Sequence, residues 1–167
     1  LKGPSGYGGG APGDLRYWSY NNHAFGILGQ TLELAAGRYL DDVLEERLLG
    51  PMGADGSFAA GELREPELVT QLYRGSALGR SVGSQLGVRR WSAPGATGRQ
   101  FAGGFTASAY DCGKLAALLA GDGCFEGVRL MEESSVELME SCEDRAISGG
   151  TYQALPMRLG SGLYGRE

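Results

Sequence analysis

Hydrophobic positions first fall into register after residue 24. Phe25, Leu28, Leu32 and Ala35 recur at i, i+3, i+7 and i+10, the spacing of one helix face, and Gly37 supplies a stop. The run LDDVLEERLL at 40–49 predicts a second helix: acids open it, Arg47 lies near its end, and Leu40, Val43, Leu44 and Leu48 share a side before Gly50-Pro51. Pro66, suited to a first helical position, opens a third expected helix, PELVTQLYRG. Residues 75–100 carry no clear period and are threaded with Gly, Ser and Pro. They are expected to form a long loop, which in a compact domain is more often functional than decorative. Past the pair Gly103-Gly104, either Thr106 or Ser108 can cap a helix that runs to Ala120 and stops at Gly121. GVRL at 127–130 reads as a short strand or turn and EESSVELMES as a short helix. Leu155, Met157, Leu159, Ser161 and Leu163 then alternate as in a half-buried strand, which needs partners from weakly patterned segments or from outside the chain. The expected fold class is mostly α with a minor β part.

Composition narrows the function classes. At 167 residues with 42% apolar content, the chain has the size of one ordinary domain and enough apolar material for a core. Fifteen basic against 20 acidic residues leave a net charge of -5, and no basic cluster is denser than Arg89-Arg90, so nucleic acid is not an expected partner. No run approaches the roughly 20 apolar residues of a membrane helix, and the opening LKGPSGYGGG does not read as a signal peptide. Cys112, Cys124 and Cys142 have neither paired metal-ligand spacing nor an even count, so small buried or free thiols are expected and no metal or cofactor is implied. The 30 glycines are scattered without period, which points to turns and close backbone approaches.

Two longer blocks carry a resemblance. SYNNHAFGILGQTLELAAGRYLDDVLEERLLGPMGADGSF resembles the central segment of the serine β-lactamase-like family, which includes class C β-lactamases, penicillin-binding DD-peptidases and related esterases. Members of that family read Tyr-x-Asn, then an aromatic and Leu-Leu-Gly, a helix, a glycine and a Pro-Leu-Gly-Met turn. The second block, FAGGFTASAYDCGKLAALLAGDGCFEGVRLMEESSVELM, is similar to the family's Gly-Gly-Leu-x-Ser-Thr segment together with the stretch beyond it. Tyr-x-Asn alone is a weak signal, whereas two long blocks in the family's order are a specific one.

The resemblance implies a chemistry. In such enzymes a serine of a Ser-x-x-Lys motif attacks an acyl carbon to form an acyl-enzyme that water later cleaves. On this likeness Tyr20 is the catalytic tyrosine that shuttles a proton between nucleophile and leaving group. With an ordinary pKa of about 10, it needs nearby ammonium groups to do so near neutrality. Asn22 takes the place of the residue that holds the substrate amide and braces a lysine, and Gly103 and Gly104 are candidate substrate-binding positions where a side chain would block backbone approach. The implied substrate is a small molecule or peptide: a β-lactam, a D-Ala peptide or an ester. Residues 1–100 are expected to form a helical subdomain with the second-motif loop, and residues 101–167 to supply helices and a strand of the α/β domain of a β-lactamase/transpeptidase-like fold. A periplasmic or extracellular location goes with the family.

No serine of the chain has a lysine three residues on, and Lys-Thr-Gly and His-Thr-Gly are missing too. The chain is therefore expected to be the interior of a longer protein, completed by flanking segments of the same protein and inactive by itself. Plainer readings stand beside these. Tyr20 and Asn22 can serve as a helix cap with an aromatic beneath it, Gly103-Gly104 as a tight turn, and Ser108 as a cap. His23 reads as a surface or capping residue, Lys114 as part of a solvated helix face, and Tyr17 and Trp18 either border a cleft or pack. A noncatalytic peptide- or cell-wall-binding module built on the same fold is the alternative function.

Overall fold

The structure, a computed structural model, describes residues 22–140, 151–153 and 158–160. One compact unit runs from Asn22 to Ala117, and the described residues from Leu118 onward belong to another. Helices predominate among them, joined by four two-stranded antiparallel ladders, so the mostly-α class with a minor β part holds at that level.

In the first unit, helix α1 spans Asn22–Ala36 and ends at Gly37, whose φ of +64° is the left-handed conformation of a helix stop. The helix forms where the apolar period predicts it, but a different face is buried. Leu28 and Leu32 stay 53% and 47% exposed, while Gly26, Gly29 and Glu33 are buried. The reason is steric. A Cβ on Gly26 would come within 2.9 Å of the Gly98 carbonyl oxygen, and one on Gly29 within 2.3 Å of the Phe101 ring. The glycine stripe lets the 98–101 segment lie against the helix backbone, a packing that apolar periodicity does not report.

Helix α2, Leu40–Leu44, continues without a break into a π turn, Glu45–Leu49, closed by Gly50 N–H donating to the Glu45 carbonyl at 2.9 Å. Its end delivers Leu49, Met52 and Ala54 into the core, each under 5% exposed. Strand β1, Gly56–Ser57, follows, and Phe58 beyond it meets Phe101 and Phe105 edge-on at centroid distances of 5.0 and 5.1 Å.

The helix expected from Pro66 is not formed. Pro66–Leu68 makes one 3₁₀ turn, Val69 is extended, and the chain enters a hairpin of β2, Tyr73–Arg74, and β3, Ala77–Leu78. β-Branched Val69 and Thr70 favour the extended conformation, and Gly75 at φ +61° supplies the turn. The supposed long loop is likewise punctuated, by β3, by helix α3 at Val82–Leu86 and by a 3₁₀ turn at Arg99–Phe101. The cap of α3 is Ser81, whose Oγ accepts from Ser84 N–H at 3.2 Å. Strand β4, Thr106–Ala107, pairs with β1. Helix α4, Ala109–Ala120, starts from Ser108, the second of the two cap choices, which accepts from Asp111 N–H at 3.0 Å.

In the other unit, Leu118 and Val136 are the fully buried large side chains. Strands β5, Cys124–Phe125, and β6, Val128–Arg129, form a hairpin through Glu126 and Gly127, both at positive φ as a primed two-residue turn requires. Helix α5 spans Glu133–Glu140. Of the expected late strand, Arg158–Gly160 forms β8, paired with β7 at Thr151–Gln153, so the partner of that part comes from this chain; Leu155, Met157, Ser161 and Leu163 lie outside the described residues. No helix among the described residues is long and apolar enough to cross a membrane.

Candidate functional site

The residues that shape the first unit's clefts are held by polar clamps. Glu33, only 4% exposed, accepts from Gly95 N–H at 2.7 Å with one oxygen and from Leu40 N–H at 2.9 Å with the other. Gln30, one turn earlier, donates to the Gly95 carbonyl at 2.5 Å. Together they fix the segment around Gly95 to α1 by both of its backbone groups. A carboxylate accepting two backbone N–H groups is a way of burying charge without a counter-ion. The same segment is tied to α2 through Tyr39, whose hydroxyl donates to the Trp91 carbonyl at 2.6 Å, and through Arg90, which pairs with Asp42 at 2.6 Å and lies 5.3 Å from the Tyr39 ring centre.

Two clefts open beside this loop. One, of about 330 Å³, is lined by Asn22, His23, Gly26, Ile27, Gln30, Gly98 and Ala102. Asn22 is the exposed first residue of α1 there. The other, of about 650 Å³, runs along Ala102, Gly103 and Gly104 and is walled by Phe58, Leu72, Val88, Trp91 and Phe105. Ala102 borders both. Thus Asn22 lines one cleft and the glycine pair the next, with Tyr20, Tyr17 and Trp18 outside the described residues.

Gly103 has φ +102°, a conformation that disfavours any side chain. Gly104 N–H donates to the Gln100 carbonyl at 2.8 Å, and a Cβ on Gly104 would meet that oxygen at 2.4 Å. The tight-turn reading accounts for both glycines, and the turn they make also leaves the edge of the larger cleft bare.

Two glutamines that the sequence pattern did not single out shape this cleft. Gln85, 7% exposed, donates to the carbonyls of Thr70 at 2.9 Å and Arg80 at 3.2 Å, pinning the base of the β2–β3 hairpin. Gln100 Oε1 is buried without a hydrogen-bond partner among the described residues. Glu33 was missed as well. Its only sequence signal is its i, i+3, i+7 alignment with Gly26 and Gly29, and it lies among leucines that divert attention to another face.

Lys114 is not on a solvated face. Its ammonium group donates to the Gly53 carbonyl at 2.6 Å and to Asp111 at 3.2 Å, and lies 4.8 Å from the centre of the Tyr110 ring. Asp111 also accepts from Ser108 Oγ at 2.6 Å. Burial disfavours the Asp111 carboxylate, but hydrogen bonds from Ser108, Lys114 and the Asp55 backbone together outweigh it and hold the carboxyl below its ordinary range. Asp41 goes the other way: burial raises its pKa, against the hydrogen bond from Phe58 N–H at 2.8 Å.

Cys112 and Cys124 are free thiols, Cys142 lies outside the described residues, and no group of His, Cys, Asp or Glu among the described residues could hold a metal ion. The larger cleft is lined by no serine, cysteine, lysine, histidine or carboxylate among the described residues. Its volume suits a small molecule, and its described lining can bind and orient one. No protein-family model matches the chain, and no curated protein matches it.

Proposed function

We propose that this chain is the central portion of a penicillin-recognising serine hydrolase, supplying one wall of its cleft. In the intact protein a serine outside these residues attacks the acyl carbon of a β-lactam, peptide or ester. Its proton passes by way of the Tyr20 phenol to the leaving group, and water then cleaves the acyl-serine bond. Asn22 holds the substrate amide, and Gly103-Gly104 leaves the backbone open to it. The reading is carried by one convergence. The two blocks that resemble the family are separated in sequence, yet Asn22 from one and Gly103-Gly104 from the other line clefts that share Ala102.

The test is labelling with a fluorescent penicillin, read by intact mass. The full reading frame is expected to give one stoichiometric adduct on a serine outside residues 1–167, and this chain none. An adduct on this chain, or an intact protein that neither labels nor turns over nitrocefin or a small ester, refutes the reading. A noncatalytic peptide- or cell-wall-binding module is the second reading, favoured by the described lining of the larger cleft, which has hydrogen-bonding and apolar groups but no serine, cysteine, lysine or histidine.

A further inference from the structure

Among the described residues, two buried side-chain atoms lack a hydrogen-bond partner: Arg90 Nε and Gln100 Oε1. Such atoms are few in folded proteins, because a buried donor or acceptor without a partner has lost the bond it made to water. Both residues line one small cavity, of about 30 Å³, together with Glu33, Tyr39, Asp41 and Thr97. The guanidinium is held at its wall: Nη1 pairs with Asp42 at 2.6 Å, and Cζ lies 5.3 Å from the centre of the Tyr39 ring. Because that group is planar, holding it at these points also fixes the direction of Nε–H. The two atoms are complementary, one a donor and the other an acceptor, yet they are not bonded to each other.

We propose that this cavity holds a single ordered water that accepts from Arg90 Nε–H and donates to Gln100 Oε1. The pair itself selects the occupant. It has to accept from one atom and donate to the other, which a metal cation, an ammonium ion or a halide cannot do and a water does. The volume agrees, since about 30 Å³ exceeds the roughly 10–15 Å³ that one water requires and leaves no room for an organic ligand. The polar lining offers the further partners that an internal water takes. Phe58, Val88, Trp91 and Gln100 line this cavity and the larger cleft alike, so the water stands behind the cleft wall. Gln100 also carries the glycine turn, its carbonyl accepting from Gly104 N–H at 2.8 Å. Through the water, that turn is tied to the Arg90–Asp42 pair on α2. The proposal goes beyond acyl transfer and stands without it, since it concerns how the cleft is built.

A crystal structure of the protein at a resolution that orders internal waters tests it. Density is expected for one water within about 2.7–3.2 Å of both atoms. In solution, oxygen-17 relaxation dispersion counts long-lived internal waters. Gln100→Met, which keeps the length of the side chain and removes its acceptor, lowers that count by one. Direct contact of Arg90 Nε with Gln100, a map with no density between the two, density that touches one of them alone, or an unchanged count in Gln100→Met overturns the proposal. The native map decides even where the variant does not fold. Labelling by penicillin reads neither quantity, so either idea can fail alone.

Discussion

Replacing Glu33 by alanine should be the most damaging small change in the first unit. The native carboxylate is 4% exposed and satisfies two backbone donors, Gly95 N–H at 2.7 Å and Leu40 N–H at 2.9 Å. Gly95 is buried, so water does not reach its orphaned N–H, and the cost there is about 2–3 kcal/mol for a donor that had a charged acceptor. Leu40 is half-buried at the start of α2, where Tyr39 offers no side-chain cap; partial hydration limits that loss to about 1 kcal/mol. The total is about 3–4 kcal/mol, a large share of a typical stability of about 5–15 kcal/mol. At a urea m-value of about 2 kcal/mol/M, the midpoint should fall by about 1.5–2 M. Glu33→Gln keeps the shape and one acceptor oxygen but turns an NH₂ group toward the other donor, so it should cost about 2 kcal/mol. Gln30→Ala, which removes the single bond to the Gly95 carbonyl, should cost about 1 kcal/mol. Equilibrium urea unfolding followed by far-UV circular dichroism reads all three. A Glu33→Ala midpoint close to native, or a Glu33→Gln variant as stable as native, would show that Glu33 does not clamp the Gly95 segment.

Three further outcomes rest on the same geometry. Gly98→Ala would place a Cβ 2.1 Å from the Gly26 carbonyl oxygen, so α1 and the loop must separate; thermal unfolding should register a loss of about 1–3 kcal/mol. Leu118→Ala, at a site 1% exposed, should cost about 2–5 kcal/mol in the same measurement. The two half-buried aspartates should have opposite pH signatures, read by urea unfolding across the acid range. Asp111, held below its unfolded value near 3.8, stabilises the fold above that value and loses the effect as pH falls through the folded pKa, so Asp111→Asn flattens the acid-side decline. Asp41, raised above 3.8, favours the fold at low pH and loses that advantage as pH rises through its folded pKa, so Asp41→Asn removes that loss while Oδ1 still accepts from Phe58 N–H.

The chain's local chemistry was legible wherever one residue type decides a backbone conformation. Gly37 ends α1, Ser108 caps α4, Gly50-Pro51 closes the second helix, and Gly103 takes a conformation that suits glycine, because these effects act within a few residues. The helix that never forms at Pro66 marks the limit of such reading: there Gln85, fifteen residues from Thr70, gathers the chain into a hairpin base. Which face of α1 is buried was decided only by tertiary structure. The sequence offered leucines at 28 and 32, yet the loop around Gly98 packs on the glycine stripe, where van der Waals approach and the hydrogen bonds of Glu33 outweigh apolar periodicity. The larger cleft is a product of the same long-range level. Phe58, Arg80, Gln85 and Gly103 come from separate stretches, and no periodicity along the chain encodes their meeting, because it arises from distant segments closing on one another.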